Sequence, residues 1–329
     1  MAKAEFIKAL IKAHISGDNN KFRQVALQIA AQEASSGHVK VANDIRKLID
    51  NVSPSFGQSA GKVAPELKVS LPKSNMSELL QSSYPRDKFN EMILSADTKE
   101  KLKRVLTEWR SYNLLSSYGL DYKKKLLLVG PPGNGKTLSA KVLSNELGLP
   151  LFVVKLEGLI SRYLGETSVH LRSIFNSMEN TPGVYLFDEF DSIGTTRGDQ
   201  RDVGEVRRVL STFLILLENF SGNSLIISAT NYNEMLDFAL YRRFDDVIEF
   251  PKPGKEEAMS LLKLKTKNFP SKINNYNELI SISEGMSYAE IVKAVAEGIK
   301  TSILFGDKTL TQEILEKTII ERKSMNPNN

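Results

Sequence analysis

Residues 130–137 read Gly130-Pro131-Pro132-Gly133-Asn134-Gly135-Lys136-Thr137. Two glycines five positions apart, followed by Lys and a hydroxyl residue, make the P-loop pattern. Leu126-Leu127-Leu128-Val129 precedes it and reads as a buried strand; Leu138-Ser139-Ala140-Lys141-Val142-Leu143 follows and reads as a helix. Strand, glycine-rich turn and helix start are the context this motif needs. The glycines let backbone N–H groups turn inward, and the helix N-terminus adds partial positive charge. Lys136 is expected to reach the β- and γ-phosphates of ATP, and the Thr137 hydroxyl to hold Mg²⁺. Pro132, Gly133, Asn134, Gly135 and Leu138 complete the expected nucleotide contacts on this stretch.

A second chemical signature ends a later apolar run, Val184-Tyr185-Leu186-Phe187, and reads Asp188-Glu189. Apolar residues and then Asp-Glu form the Walker B arrangement. Asp188 would orient the Mg²⁺ shell and Glu189 would polarise the attacking water. By itself such a pair is also what an acidic loop after a strand looks like, since Asp191 is close by. Leu225-Ile226-Ile227-Ser228-Ala229 is a further strand, and Asn231 beyond it is placed to hold the lytic water with Glu189 if this strand inserts centrally. Arg242 and Arg243 follow. Paired arginines ordinarily form a solvated face; here they lie too far along the chain to reach their own phosphates easily. They would serve as arginine fingers for a neighbouring subunit. With strands at Pro150–Val154 and Val247–Phe250, the alternation of strands and helices implies an α/β fold with a parallel sheet covered on both faces.

The flanks differ in character. Phe6, Ile7, Leu10 and Ile11, then Phe22, Val25, Ala26, Ile29 and Ala30, then Val41, Ile45, Leu48 and Ile49 mark three short amphipathic helices, a small bundle over residues 1–50. Either these stripes bury only each other, or the bundle is an adaptor for a client. Residues 51–84 read as a flexible linker, rich at first in Ser, Gly and Pro, so the bundle is expected to be tethered rather than docked. The large ATPase domain is expected over 85–250 and a helical lid over 251–329, with helices near Glu256–Lys267, Tyr276–Ser283, Tyr288–Phe305 and Thr311–Lys323. A helix is also expected over 97–115, preceded by Ile93 and Leu94, where a base could lie against apolar side chains.

Composition excludes several chemistries. The 329 residues contain no cysteine, which removes disulfide, Cys-zinc and Cys-nucleophile readings. His14 and His38 stand without carboxylate or cysteine company and read as structural or surface residues. No stretch is long and apolar enough to span a bilayer and the N-terminus has no secretory pattern, so a cytoplasmic location without membrane contact is expected. A net charge of +5 permits nucleic acid or acidic partners and selects neither.

Together, Gly130 to Thr137, Leu186 to Glu189, Ala229-Thr230-Asn231 and Leu236-Asp237-x-Ala239-Leu240-x-Arg242-Arg243-Phe244 resemble the AAA family of ATPases, in the branch of spastin, katanin and related protein remodellers. The resemblance covers roughly residues 90–305. It implies a five-stranded sheet with the P-loop strand in the middle, a small helical lid, and hexameric rings with shared active sites. Ser161-Arg162-Tyr163-Leu164-Gly165-Glu166 is similar to the first pore loop of that family, with Tyr163 and Leu164 as the gripping pair; Tyr163 packed in a core is the other reading. Residues 195–205 are similar to the second pore loop. Gly285-Met286-Ser287-Tyr288-Ala289-Glu290-Ile291 resembles the lid motif on the adenine side, with Ala289 at the nucleotide. Related machines carry an arginine there; Ala289 and Glu290 match the remodelling branch. The expected function is ATP hydrolysis that drives a protein client through the ring pore, with residues 1–50 selecting the client. The resemblance admits a separate protease as partner, since this chain has no persuasive protease triad. A DNA motor, disfavoured by Tyr163 and Leu164, and an ATP-dependent switch for a partner enzyme are the alternatives.

Overall fold

In a computed structural model of the chain, residues 2–15, 19–51, 80–154, 167–190, 200–231 and 241–325 are described. The chain divides into two compact units. One comprises Met1–Phe89, Leu102–Leu128 and Thr137–Val247; the other comprises Asn90–Lys101, Val129–Lys136 and Ile248–Asn329.

The first unit begins with three helices, α1 (Ala2–Ile15), α2 (Asn19–Ser35) and α3 (Val39–Asn51). Ala26, Ala30, Ala34 and Ala42 are buried, so small side chains let these helices pack closely. The bundle is docked, not merely tethered. A Cβ on Gly148 would lie 3.3 Å from Asn43 Oδ1, 3.5 Å from Ala42 Cβ and 3.8 Å from Ala34 Cβ. The Arg46 guanidinium also lies 5.5 Å from the centre of the Tyr84 ring. The end of the expected linker is structured too. Leu80–Ser83 forms strand β1, which pairs antiparallel with β3 (Leu151–Val154). The rest of the linker, residues 52–79, lies outside the described residues.

The sheet also contains β2 (Lys125–Val129), β4 (Val184–Phe187), β5 (Leu225–Thr230) and β6 (Asp246–Glu249). Among the described residues its order is β1-β3-β4-β5-β2-β6. Strands β3, β4 and β5 are parallel. The Ile226 N–H donates to Lys124 O, which sets the starts of β5 and β2 side by side. Asp245 N donates to Lys125 O and Phe250 N to Val129 O, so β6 runs parallel to β2. The five expected parallel strands are present, but the expected central place of the P-loop strand is corrected. Strand β2 lies second from the β6 edge, and β5 occupies the middle.

Every residue of β4 and of β5 is buried, as strands covered on both faces require. One face carries an aromatic cluster of Phe175, Phe187, Phe190 and Phe213, in which Phe187 and Phe213 meet edge to face at 5.0 Å. It is built by α7 (Thr167–Asn180), β4 and α8 (Gln200–Glu218). The helix expected over 97–115 breaks at Ser111, giving α4 (Ala96–Arg110) and α5 (Tyr112–Ser117); α6 (Lys136–Leu147) follows the P-loop.

The second unit holds the lid: α9 (Lys255–Thr266), α10 (Tyr276–Ile282), α11 (Tyr288–Phe305) and α12 (Gln312–Ser324), with two-residue strands β7 (Ser271–Lys272) and β8 (Leu310–Thr311). Leu262, Leu279, Ile291, Leu315 and Ile319 form its core, and Ile93 packs against it. Asn275 caps α10, and Ser287 caps α11 through a complete capping box with Glu290. No helix among the described residues is long and apolar enough to cross a membrane.

Candidate active site

Parallel strands expose their carboxyl ends on one side of the sheet, where ligands bind in folds of this class. In the first unit, Phe187 of β4 is in register with Ser228 of β5. The residues that follow them, Asp188-Glu189 and Thr230-Asn231, therefore leave the same side of the sheet on neighbouring strands. The Thr137 hydroxyl donates to Asp188 Oδ2 at 2.8 Å. Asp188 Oδ1 accepts from the Glu189 N–H at 3.0 Å. The two residues expected to serve Mg²⁺, 51 positions apart in sequence, are thus brought into direct contact. A hydroxyl and a carboxylate are hard oxygen donors, the set that suits Mg²⁺.

Glu189 has φ 52, in the left-handed region that non-glycine residues seldom occupy. Such a conformation costs on the order of 1–3 kcal/mol and persists only where the surroundings impose it. Here the bond from its own N–H to Asp188 is one such constraint. The Glu189 side chain is exposed, and Asn231 is partly buried.

In the second unit the P-loop wraps its lysine. Lys136 is 7% exposed, and its Nζ donates to Gly130 O at 2.6 Å and Pro131 O at 3.0 Å. Phosphate oxygens would exchange with these carbonyls for the same ammonium. Gly133 has φ 79, and a Cβ there would lie 2.8 Å from Ser287 Oγ and 3.1 Å from Ala289 Cβ. The Ala289 N–H donates to Gly133 O at 3.0 Å. The lid motif and the P-loop therefore meet directly. A Cβ on Gly135 would lie 3.7 Å from Leu94, so Leu94 borders the loop. Pro132 and Leu138 are exposed. Burial pushes the Glu290 carboxyl up, but its hydrogen bonds from Ser287 and the charges of Lys252 and Arg322 outweigh this and hold it below its ordinary value. It stays a carboxylate and keeps the cap that presents Ala289.

Gly130 has φ 149, and a Cβ there would lie 2.3 Å from Phe250 O. Gly130→Ala is expected to weaken ATP binding by about tenfold or more, because a backbone carbonyl cannot yield as a side chain can. Titration with a fluorescent ATP analogue checks this; wild-type affinity would contradict it.

Arg242 and Arg243 lie in the first unit, just before β6. Asp245 is level with Lys125, at the amino end of β2. The arginines thus sit at the opposite ends of the strands from Asp188, Glu189 and Asn231. Arg242 is exposed, and Arg243 Nε donates to Glu218 Oε2 at 3.1 Å. Three participants were not singled out from sequence: Glu218, Phe250 and Ser287. Only Ser287 carries a readable signal, the Ser-x-x-Glu capping box. Tyr163 and Leu164, Asp191, Leu236–Leu240 and residues 195–199 of the second pore loop lie outside the described residues.

Comparison with known proteins gives a consistent picture. A profile of the ATPase family associated with various cellular activities (AAA) matches residues 126–252. An uncharacterised AAA family ATPase of Sinorhizobium fredii is 36% identical over 304 residues, 92% of this chain and 90% of that one. A proteasome-activating nucleotidase of Pyrococcus abyssi is 30% identical over 310 residues, 85% of this chain and 78% of that one. An ATP-dependent zinc metalloprotease, FtsH 3, of Sphaerobacter thermophilus is 28% identical over 241 residues, 71% of this chain and 49% of that one.

Proposed function

The chain belongs to the AAA family of ATPases, and from that premise we propose that it works as a ring which spends ATP on unfolding or remodelling a protein client. The observation that carries the chemistry is the contact of Thr137 with Asp188, with Glu189 next in sequence. Mg²⁺, held at Thr137 and Asp188, would supply charge neutralisation to the phosphates. Lys136 would bind the β- and γ-phosphates. Glu189 would take the proton of the attacking water on its carboxylate, with Asn231 orienting that water.

Support for shared sites comes from the arginines. They leave the sheet at the ends away from the hydrolytic groups, so a neighbouring copy is the natural receiver of their charge. Closed rings arise when one face of a subunit contacts a different face of the next. We assign six subunits, as the resemblance implies. Protein as the client is supported by the relatives, one named for activating a proteasome and another for ATP-dependent proteolysis. On the same ground we propose a separate protease as partner and the N-terminal bundle as the client-selecting element. Ala289 and Glu290 in the lid favour the branch of spastin and katanin within the family.

Tyr163→Ala separates this reading from a switch that never threads its client. ATPase activity is expected to stay within about threefold, since the aromatic is asked to grip substrate and not nucleotide. Unfolding of a client captured with ATP-trapped rings is expected to be lost. A Tyr163→Ala protein that still unfolds that client would contradict threading.

A further inference from the structure

We propose that the Asn134 side chain is a positioning residue that braces the phosphate-binding loop against Phe250, and is not itself a nucleotide contact. Asn134 stands between Gly133, φ 79, and Gly135, φ 97. Neither glycine has a side chain to hold the backbone, and each is free to adopt many conformations. A phosphate cradle nevertheless needs its N–H groups to point inward before ATP arrives. Something outside the loop's own backbone must hold it.

Phe250 does so at three points. Its N–H donates to Val129 O at 2.7 Å, which fixes the residue entering the loop. Its carbonyl oxygen lies against Gly130, closely enough that a Cβ there would come within 2.3 Å of it. The same oxygen accepts a hydrogen bond from Asn134 Nδ2 at 3.2 Å. One backbone carbonyl thus braces the first glycine and, through Asn134, the middle of the loop.

The rest of the amide shows that packing alone does not explain it. Asn134 is 1% exposed, and its buried Oδ1 has no hydrogen-bond partner among the described residues. An unpaired buried acceptor is costly. Turning the amide over would set Oδ1 against the Phe250 carbonyl, acceptor to acceptor. An apolar side chain of similar size would avoid the penalty altogether, so the donated bond to Phe250 is what the amide contributes. With its nitrogen directed to Phe250 and its oxygen enclosed, the side chain serves the loop's shape.

The test uses the full chain with Asn134→Ala and Asn134→Thr, the second retaining a donor for the carbonyl. With Ala, the KM for ATP and the inhibition constant of ADP are expected to rise about tenfold, whereas kcat at saturating ATP falls less than about threefold. Inhibition by adenosine, which has no phosphate, is expected to stay within about twofold. Thr is expected to restore ATP and ADP binding to within about threefold of wild type. Equal losses for ADP and adenosine would mean a general structural role and would overturn the proposal, as would a wild-type KM with Ala. Thermal melting of both variants checks folding. If the Ala variant does not fold, Thr decides alone: a near-wild-type KM supports the brace and a tenfold loss overturns it.

Discussion

Glu189→Gln is expected to bind ATP with near-wild-type affinity and to hydrolyse it about 10²–10⁴-fold more slowly, the usual contribution of a general base. The prediction rests on what the substitution leaves alone. Gln has the same shape, so the φ of 52 is no harder to hold. The hydrogen bond to Asp188 Oδ1 comes from the Glu189 backbone N–H and survives. The Thr137–Asp188 contact is untouched. Only the carboxylate that would receive the water proton is gone. Phosphate release under saturating ATP, paired with titration of a fluorescent ATP analogue, separates turnover from binding. A rate within tenfold of wild type would remove Glu189 from the role of base and shift attention to Asn231.

Arg243→Ala is expected to reduce kcat about 10³-fold in homogeneous protein, the lower end of what an arginine finger contributes. Its effect on stability is expected to be small. Arg243 pairs with Glu218 at 3.1 Å across a partly solvated surface, the Glu218 carboxylate being 62% exposed. Exposed pairs of this kind contribute about 0–1 kcal/mol, so loss of this pair costs little. The sharper measurement mixes Arg243→Ala with Lys136→Ala. Each variant lacks what the other keeps, so a site between an intact loop and an intact arginine is active only if the two come from different chains. Partial recovery of ATPase activity is expected on mixing. Failure to recover, with mixed rings demonstrated by tagging, would mean that the arginines act within their own subunit.

The lid helices and the parallel strands were legible because each is marked by composition and periodicity. Helix α11 covers the same residues, 288–305, in both views. Strand β1 was not legible. Its sequence, Leu80-Gln81-Ser82-Ser83, has no apolar run, and it is a strand only because β3 offers backbone partners at the sheet edge. The docked bundle was missed for a related reason. Its contacts at Gly148 run through Ala34, Ala42 and Asn43, and small side chains that pack helix against helix look the same as ones that pack a helix against something else.

The sequence alone located the phosphate-loop pattern and the strand and helix on either side of it. Glycines, a lysine and a hydroxyl at fixed spacing mark a phosphate loop between strand and helix, although the glycines leave its exact shape to contacts from elsewhere in the chain. It also placed Asp188 and Glu189 at the end of a buried strand, because residues directly after such a strand must emerge there. Tertiary structure decided what those residues meet. Strand order placed β5 between β4 and β2, since apolar strands carry no label for their neighbours. It brought Thr137 to Asp188 and Phe250 to Asn134, pairs separated by 51 and 116 residues. Those contacts depend on hydrogen-bond groups converging from distant segments, which no local pattern encodes.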